Sequence, residues 1–151
     1  EKGYNLSPAG LRTGIERTTR ATGLHGRWQV LRRHPLTICD TGHNEAGIRE
    51  VLAQVGETPH DTLHFVMGMV NDKHLPPVLA LLPKDAIYYF CRPGIPRGLD
   101  AVDLQRQARE AGLKGEVYPS VRHALKSAQE AAGKHDLVLV GGSTFVVAEV
   151  V

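Results

Sequence analysis

The sequence predicts an α/β domain with a mostly parallel sheet and helices on both of its faces. Short apolar runs with the length of buried strands alternate with stretches of about ten residues that have helical periodicity. Strands joined by helices of that length form right-handed crossovers, which make neighbouring strands parallel. Aromatic residues make up only 5% of the chain, so the core depends on aliphatic side chains, which suits helices packed on a sheet. The 151 residues suffice for one such domain.

Residues 1–25 are predicted to be a linker or a weakly anchored helix, and the sheet domain is predicted to occupy residues 26–151. Ser7 is a suitable N-cap, and Pro8 suits the first helical position. The following helical stretch is polar and contains only two large apolar side chains. The chain does not begin with Met, and it stops inside an apolar run. We therefore interpret it as part of a longer protein.

The first half of the domain is predicted to contain two strands and one helix. Residues 28–32 and 36–40 are short strands separated by a turn at His34-Pro35. Asn44 caps a helix that Gly56 ends. The apolar positions of this helix have a spacing of three or four residues, at Ile48, Val51, Leu52 and Val55.

The second half continues the alternation. The remaining strands are predicted at residues 63–69, 86–91, 116–118 and 137–140. The remaining helices are predicted at residues 75–82, at 102–111 before Gly112, and from the cap Ser120 to about residue 132. The final segment, 144–151, is either an edge strand or a helix capped by Ser143.

Polar residues follow several of the predicted strands at the point where each strand ends. In an open α/β sheet, ligands bind outside the carboxyl ends of the strands. These polar residues should therefore share one edge of the sheet, which we call the carboxyl rim. They are Asp40, His43 and Asn44; Asn71, Asp72, Lys73 and His74; Arg92 and Arg97; and Gly141-Gly142-Ser143.

Four of these residues have both a binding and a structural interpretation. Asp40 could accept hydrogen bonds from a ribose diol, or it could form a turn or cap a helix. His43 could contact a ligand or belong to the turn. Lys73 could hold a substrate carboxylate or be a solvated lysine. Ser143 could bind an anion at a helix start or be an ordinary cap.

Several chemical motifs are missing from the sequence. It has no GxxxxGK[ST] loop to hold a triphosphate, and it has no GxGxxG motif. The eight histidines lack the spacing of zinc ligands, and no catalytic triad stands out. We therefore predict no metal ligands in this chain, and we expect that it cannot perform phosphoryl transfer alone.

Charge and cysteine placement limit the partners. The formal net charge of +2 comes from scattered residues, which does not favour nucleic-acid binding. No apolar stretch is long enough to span a bilayer, so we predict no membrane association. Cys39 and Cys91 lie inside apolar runs, which favours buried, reduced thiols over a disulfide. Reduced thiols in turn favour a cytoplasmic location.

Four segments of the chain, in order, carry a resemblance to a known family, and the first two are Gly26-Arg27-Trp28-Gln29 and Asp40-Thr41-Gly42-His43-Asn44. They are similar to the GR(F/L/W)(E/Q) and D-x-A-H-N segments of the carboxy-terminal domain of folylpolyglutamate synthases and dihydrofolate synthases, within the Mur ligase superfamily. Residues 65–73 are similar to its G-M-x-x-D-K segment, and residues 140–145 to its G-S-x-(F/Y)-x-V segment. The resemblance extends from residue 26 to residue 151.

The resemblance implies a Rossmann-like domain that closes over a separate, N-terminal P-loop ATPase domain. In this family, ATP phosphorylates a carboxylate of a folate-type substrate, and the amino group of L-glutamate attacks the acyl phosphate. By position, Arg27 would contact the ATP phosphates, Asp40 the ribose, and His43 would lie beside them. Lys73 and Ser143 would hold the carboxylate of the incoming glutamate. The Mg²⁺ ligands and most of the folate pocket would belong to the N-terminal domain, and residues 144–151 would be helical.

The chain also departs from the family pattern, and other functions stay open. Gly42 stands where alanine is usual, and Glu45 stands where proline commonly follows the asparagine. We expect neither Arg27 nor Asp40 to lie in the core. An alternative hypothesis is a self-contained α/β module that binds a small ligand or a protein through the same rim, and a third is that the rim is purely structural.

Overall fold

The computed structural model describes residues 7–71 and 75–151, which form a six-stranded sheet in the order β1-β2-β6-β3-β4-β5. Its strands are β1 Gln29–Arg33, β2 Leu36–Cys39, β3 Leu63–Met67, β4 Ile87–Phe90, β5 Lys114–Val117 and β6 Leu137–Gly141. Strand β1 is antiparallel to β2, and the other four neighbouring pairs are parallel. The predicted α/β fold with a mostly parallel sheet is confirmed.

Helices cover both faces of this sheet. The described helices are α1 Pro8–Glu16, α2 Thr18–Thr22, α3 Glu45–Glu57, α4 Leu75–Leu81, α5 Ala101–Glu110, α6 Val121–Ala131 and α7 Thr144–Ala148. One face packs against α3, α4 and α5 in a cluster that includes Phe65 and Leu104. The other packs against α6 and α7 in a cluster that includes Val66 and Val146. Successive residues of β3 thus enter opposite layers, as the alternation of side chains along a strand requires.

Several predicted boundaries differ from the structure by one or two residues, and three of the differences have an identifiable cause or context. Gly56 does not end α3, because the helix continues to Glu57 and its C-cap is Thr58. Strand β3 ends two residues early, because the Met69 carbonyl accepts a hydrogen bond from Leu99 N–H outside the sheet. Strand β5 begins earlier than predicted, at a Lys-Gly pair that has little strand character.

The segment that the sequence left ambiguous forms helix α7. The Ser143 side chain caps it by accepting a hydrogen bond from Phe145 N–H at 3.2 Å. Val146 and Val147 of this helix are buried against the sheet. The helix that the resemblance implied is therefore confirmed, and the edge strand is excluded.

The N-terminal segment forms the expected helix α1 with little anchoring. Ser7 Oγ accepts a hydrogen bond from Gly10 N–H at 3.0 Å, and Pro8 occupies the first turn. No residue of α1 is buried, and its apolar side chains Leu11 and Ile15 are 53% and 68% exposed. The helix is stabilised mainly by its own cap. The division of the chain at residue 25 stays a prediction.

A buried polar network joins three strands at the amino edge of the sheet, opposite the carboxyl rim. His64 is only 3% exposed, and its Nε2–H donates to Asp136 Oδ2 at 3.2 Å. A neutral His64 then accepts a hydrogen bond from the Tyr89 hydroxyl at Nδ1, across 2.9 Å. Asp136 also accepts hydrogen bonds from Gly133 N–H and Thr62 N–H. This network holds the starts of β3 and β6 together, and no motif in the sequence indicated it.

Candidate functional site

The carboxyl rim lies where β2, β6, β3 and β4 end side by side. Asp40 N–H donates to the Val140 carbonyl at 3.0 Å, and Cys91 N–H donates to the Met67 carbonyl at 2.9 Å. The residues that follow these strands are therefore neighbours, as expected for parallel strands. Asp40, Ser143 and Arg92 all belong to this edge, whereas Lys73 lies outside the described residues.

Glycines let the backbones of the rim approach one another. A β-carbon at Gly68 would lie 2.7 Å from the Cys91 carbonyl oxygen, and one at Gly142 would lie 2.8 Å from the Gly68 carbonyl oxygen. Gly142 also has a φ of 87°, which favours glycine. Gly68 and Gly142 therefore allow the chain after β3, the chain after β4 and helix α7 to approach one another closely.

A strained turn at residues 26–28 borders this rim. Gly26 has a φ of 74° and Trp28 a φ of 44°, so Arg27 lies between two left-handed residues. A tryptophan in this conformation costs roughly 1–3 kcal/mol and persists only where its surroundings hold it. A β-carbon at Gly26 would lie 2.8 Å from both Thr41 Cγ2 and Val147 Cγ1. The loop after β2 and helix α7 thus both close on this turn.

Asp40 holds the turn with its carboxylate. Oδ2 accepts a hydrogen bond from Trp28 N–H and Oδ1 accepts one from Gly42 N–H, each at 2.7 Å. The side chain is only 6% exposed, so the expectation that Asp40 lies outside the core is wrong. The turn-forming interpretation therefore describes its contacts in this structure. Each carboxylate oxygen has a second lone pair, so a ribose contact stays a prediction.

His43 and Asn44 precede helix α3 and follow Asp40 closely in the chain. His43 Nδ1 lies 2.9 Å from the Thr41 carbonyl oxygen, which can only accept, so Nδ1 carries the proton in the neutral ring. Asn44 Oδ1 caps the helix by accepting from Gly47 N–H at 2.8 Å, as predicted. Glu45 follows in the first turn, where a negative charge suits the helix dipole. His43 is exposed, so its ring borders the solvent side of the rim.

The departure from the family pattern at Gly42 has a steric reason in this chain. A β-carbon at Gly42 would lie 2.9 Å from both the Gly47 carbonyl oxygen and Val51 Cγ2. Gly47 in turn would place its own β-carbon 3.1 Å from Gly42 Cα. The loop after β2 therefore packs directly on the first turn of α3, and alanine at position 42 would push them apart.

Arg27, in the turn that borders the rim, is a candidate to bind an anion. Its side chain is exposed, and within the described residues no carboxylate forms an ion pair with it. A guanidinium presents a planar fork of donors that matches phosphate or carboxylate oxygens. The position of this arginine at a strained turn fits a residue that meets a ligand.

Ser143 is used structurally in the present arrangement. It is 2% exposed, and its hydroxyl caps α7. The ordinary-cap interpretation thus describes its observed contact, and its proposed contact with glutamate stays a prediction.

The part of the rim formed by the loop after β4 and helix α7 contains contacts that the sequence did not indicate. The Arg97 guanidinium carbon lies 4.9 Å from the centroid of the Phe145 ring, a cation–π contact. Gly94 N–H donates to Glu149 Oε1 at 2.7 Å. Both contacts join the loop after β4 to α7. They depend on the fold bringing distant segments together, so no local pattern could reveal them.

Pocket size alone does not locate the site. A cavity of about 460 Å³ lies at the rim between Arg92, Ser120 and Glu149. A cavity of about 510 Å³ lies at the amino edge, next to Leu63 and Ala86. The rim is favoured by its convergent polar groups and its strained turn, since these are the features of a ligand site.

The two cysteines are buried, and burial keeps their thiols protonated. Burial, and secondarily Asp40, raise the pKa of Cys39 to about 11. Burial, and secondarily Glu149, raise the pKa of Cys91 to about 12. Both thiols are therefore neutral at pH 7 and poor nucleophiles. Among residues 7–71 and 75–151, no three His, Cys, Asp or Glu side chains are grouped to hold a metal, and no helix there has the length and apolarity needed to cross a membrane.

The fold and the rim together define a mostly parallel α/β domain with several polar side chains at the carboxyl edge of its sheet. Residues 26–144 match the family described as "Mur ligase, glutamate ligase domain". The chain belongs to this family.

Relatives and solved structures agree with this assignment. The chain is 30% identical over 150 residues to the dihydrofolate synthase/folylpolyglutamate synthase of Escherichia coli, covering 98% of this chain and 34% of that protein. It is 34% identical over 136 residues to a Haloferax volcanii protein named "Probable bifunctional folylpolyglutamate synthase/dihydropteroate synthase", covering 89% of this chain and 16% of that protein.

Two solved structures show the same fold. The structure of E. coli FolC in complex with DHPP and ADP matches with a TM-score of 0.82 and 30% identity, over 98% of this chain and 34% of that one. The bifunctional folylpolyglutamate synthase/dihydrofolate synthase with Mn, AMPPNP and L-glutamate bound matches with a TM-score of 0.81 and 30% identity, over 97% and 34%. The chain spans about a third of the length of these proteins.

Proposed function

We propose that this chain is the C-terminal domain of an ATP-dependent amide ligase that adds L-glutamate to the carboxylate of a folate or dihydropteroate. The family assignment supports a ligase, and relatives of this domain carry folylpolyglutamate synthase and dihydrofolate synthase names. The observation that carries the proposal is Arg27, an exposed arginine without an ion-pair partner among the described residues, held in a strained turn beside Asp40. A cytoplasmic location belongs to the same proposal, and the absence of a disulfide between Cys39 and Cys91 is compatible with it.

Some of the proposed site residues would bind the nucleotide, and others would bind the amino acid. Arg27 would donate its guanidinium hydrogen bonds to ATP phosphate oxygens, because its fork matches their geometry. Asp40 would accept from the ribose through its remaining lone pairs, and His43 would border the same nucleotide. Lys73 and Ser143 would hold the carboxylate of glutamate, so that its amino group meets the acyl phosphate.

The remaining parts of the active site would come from an N-terminal region. That region would hold Mg²⁺. Its P-loop would stabilise the negative charge of the triphosphate while the acyl phosphate forms. We expect that region to be a domain of about 250–300 residues. An upstream sequence without a GK[ST] loop would contradict the proposal.

Variants of Arg27 and Asp40 in the complete ligase test the nucleotide site. Arg27→Ala is expected to raise KM for ATP by about tenfold or more, because it removes a charge-assisted contact to phosphate. Asp40→Ala should also raise KM for ATP, but it should lower thermal stability too, since Trp28 N–H and Gly42 N–H lose their acceptor.

The matched control for Arg27 is Arg122→Ala, because Arg122 is an exposed arginine of α6. Steady-state kinetics with ATP as the varied substrate give the answer. Unchanged KM for ATP in both the Arg27 and the Asp40 variants would rule out the assigned roles.

The alternative function is a self-contained module that binds a small ligand or a protein through the rim. The two functions differ in what this chain does alone. As half of a shared site, it should bind ATP weakly or not at all in titration calorimetry. Tight ATP binding by this chain alone would favour the module.

A further inference from the structure

The turn that carries Arg27 is closed by a side chain from the strand that follows it. Gln29 Oε1 accepts a hydrogen bond from Gly26 N–H at 2.8 Å, so the bond encloses Arg27 and Trp28. The same oxygen lies 3.3 Å from His25 Nδ1. Two further hydrogen bonds hold the turn. Trp28 N–H donates to the Asp40 carboxylate, and Thr41 N–H donates to the Gly26 carbonyl at 2.9 Å.

Gln29 is itself fixed by the sheet. It is the first residue of β1, and it pairs with Cys39 in the antiparallel register of β1 and β2. Cys39 is fully buried and continues into Asp40. The side chain of Gln29 therefore connects the paired start of β1 to the N-terminal side of the turn, while Asp40 holds the C-terminal side.

The location of the Arg27 guanidinium depends on this turn. Its side chain is exposed and has no ion-pair partner among the described residues, so no side-chain partner of that kind restrains it. Its reach is set by its backbone, which lies between the positive φ angles of Gly26 and Trp28. If the turn were released, Trp28 would relax towards φ below zero, and the backbone of Arg27 would change direction with it.

We propose that Gln29 is a positioning residue for nucleotide binding, which acts by holding Arg27 at the rim through Gly26. This inference rests on the proposed contact between Arg27 and ATP. It assigns to Gln29 no contact with substrate. An acceptor oxygen at the end of the side chain is all that the role requires, so glutamate at this position should serve and alanine should not.

The test compares Gln29→Ala, Gln29→Glu, Arg27→Ala and the double variant of Arg27 and Gln29 in the complete ligase. Gln29→Ala is expected to raise KM for ATP about fivefold, the effect of losing roughly one net hydrogen bond, with kcat and KM for glutamate changed less than about twofold. Gln29→Glu should restore KM for ATP. In the Arg27→Ala background, Gln29→Ala should have no further effect, because it acts through Arg27.

Gln129→Ala is the matched control. Gln129 is also a partly buried glutamine, and its Nε2–H donates to Thr37 Oγ1 at 3.2 Å, but it lies on α6. This variant should leave KM for ATP unchanged. Thermal unfolding of each variant separates a loss of folding from a loss of positioning.

Each other outcome contradicts a separate claim. If Arg27→Ala raises KM for ATP and Gln29→Ala does not, the role of Gln29 is wrong and the nucleotide site stands. If the effect of Gln29→Ala persists in full without Arg27, or Gln29→Glu fails to restore KM, the residue does not act by positioning Arg27. If Arg27→Ala itself leaves KM unchanged, the proposed nucleotide contact fails and the inference fails with it.

Discussion

Asp136 joins the loops before β3 and β6 with a single carboxylate that accepts hydrogen bonds from Gly133, Thr62 and His64. Burial acts to raise its pKa, but the hydrogen bonds from Gly133, His64 and Thr62 outweigh burial, so the pKa lies below the ordinary aspartate value. A lowered folded-state pKa means that ionised Asp136 stabilises the fold above the pKa of the unfolded chain. That stabilisation is lost as the pH falls through the folded-state pKa.

Asp136→Ala is therefore expected to lower the free energy of unfolding by about 2–3 kcal/mol at pH 7, since three donors lose their acceptor. The difference from the unsubstituted chain should be smaller at pH 3, because the unfolded chain binds a proton at this carboxyl below the ordinary aspartate pKa, which reduces the stabilisation by the ionised form. Urea unfolding at the two pH values measures this difference in the free energy of unfolding. Asp61→Ala is the control, because Asp61 is an exposed aspartate at the same edge. An equal loss at both pH values would contradict the account.

At the scale of single residues, the sequence indicates which side chains could bind a ligand. It does not determine which groups of the protein those side chains contact. Asp40 and Ser143 were each given a binding and a structural interpretation, and in the structure both make the structural contact. The direction of a carboxylate depends on where the Trp28 and Gly42 amides lie, and the turn sets that position. For the same reason the hydrogen bond from Gly26 N–H to Gln29 could not be predicted from residue type.

At the scale of elements, the two glycines near helix ends behave differently. Gly56 lies within α3, has no positive φ, and has open space where a β-carbon would be. Gly112, after α5, has a φ of 84°. Both glycines were predicted to end a helix, and only Gly112 adopts the left-handed conformation typical of such an end.

Alanine at these positions should have opposite effects on stability. Gly56→Ala is expected to raise the free energy of unfolding by about 0.5–1 kcal/mol, because alanine loses less backbone entropy in a helix. Gly112→Ala should lower it by about 1 kcal/mol, because an L-residue is strained at positive φ. Each variant serves as the other's control in denaturant unfolding. A loss of stability from Gly56→Ala would contradict the boundary assigned to α3.

Elements with a strong local signal could be predicted well. Helices α3, α5 and α6 begin at side-chain caps, as Asn44, Asp100 and Ser120 accept hydrogen bonds from the first-turn amides. The sequence predicts β5 at residues 116–118, whereas the strand is Lys114–Val117. The prediction misses its start because the strand contains Gly115, where a β-carbon would collide with the Tyr88 carbonyl oxygen. The glycine is needed for β4 and β5 to approach, and this long-range requirement outweighs its poor strand propensity.

At the scale of the whole molecule, the alternation of strands and helices predicted the sheet and the common edge of its polar residues. It could not predict the order β1-β2-β6-β3-β4-β5, in which the last strand inserts between β2 and β3. That insertion brings Gly141 and Gly142 against Gly68 and places α7 over the turn at Gly26. The candidate site thus depends on segments more than a hundred residues apart, whose meeting no local pattern encodes.

The most direct test of the central claim is ligation by the complete gene product. With ATP, Mg²⁺, L-glutamate and either dihydropteroate or a reduced folate, mass spectrometry should detect an acceptor that has gained one glutamate, with one ADP formed for each. Arg27→Ala in the same protein should form this product more slowly when ATP is limiting. Absence of glutamate addition to every folate-type acceptor, by a protein that is folded and binds ATP, would contradict the proposed function.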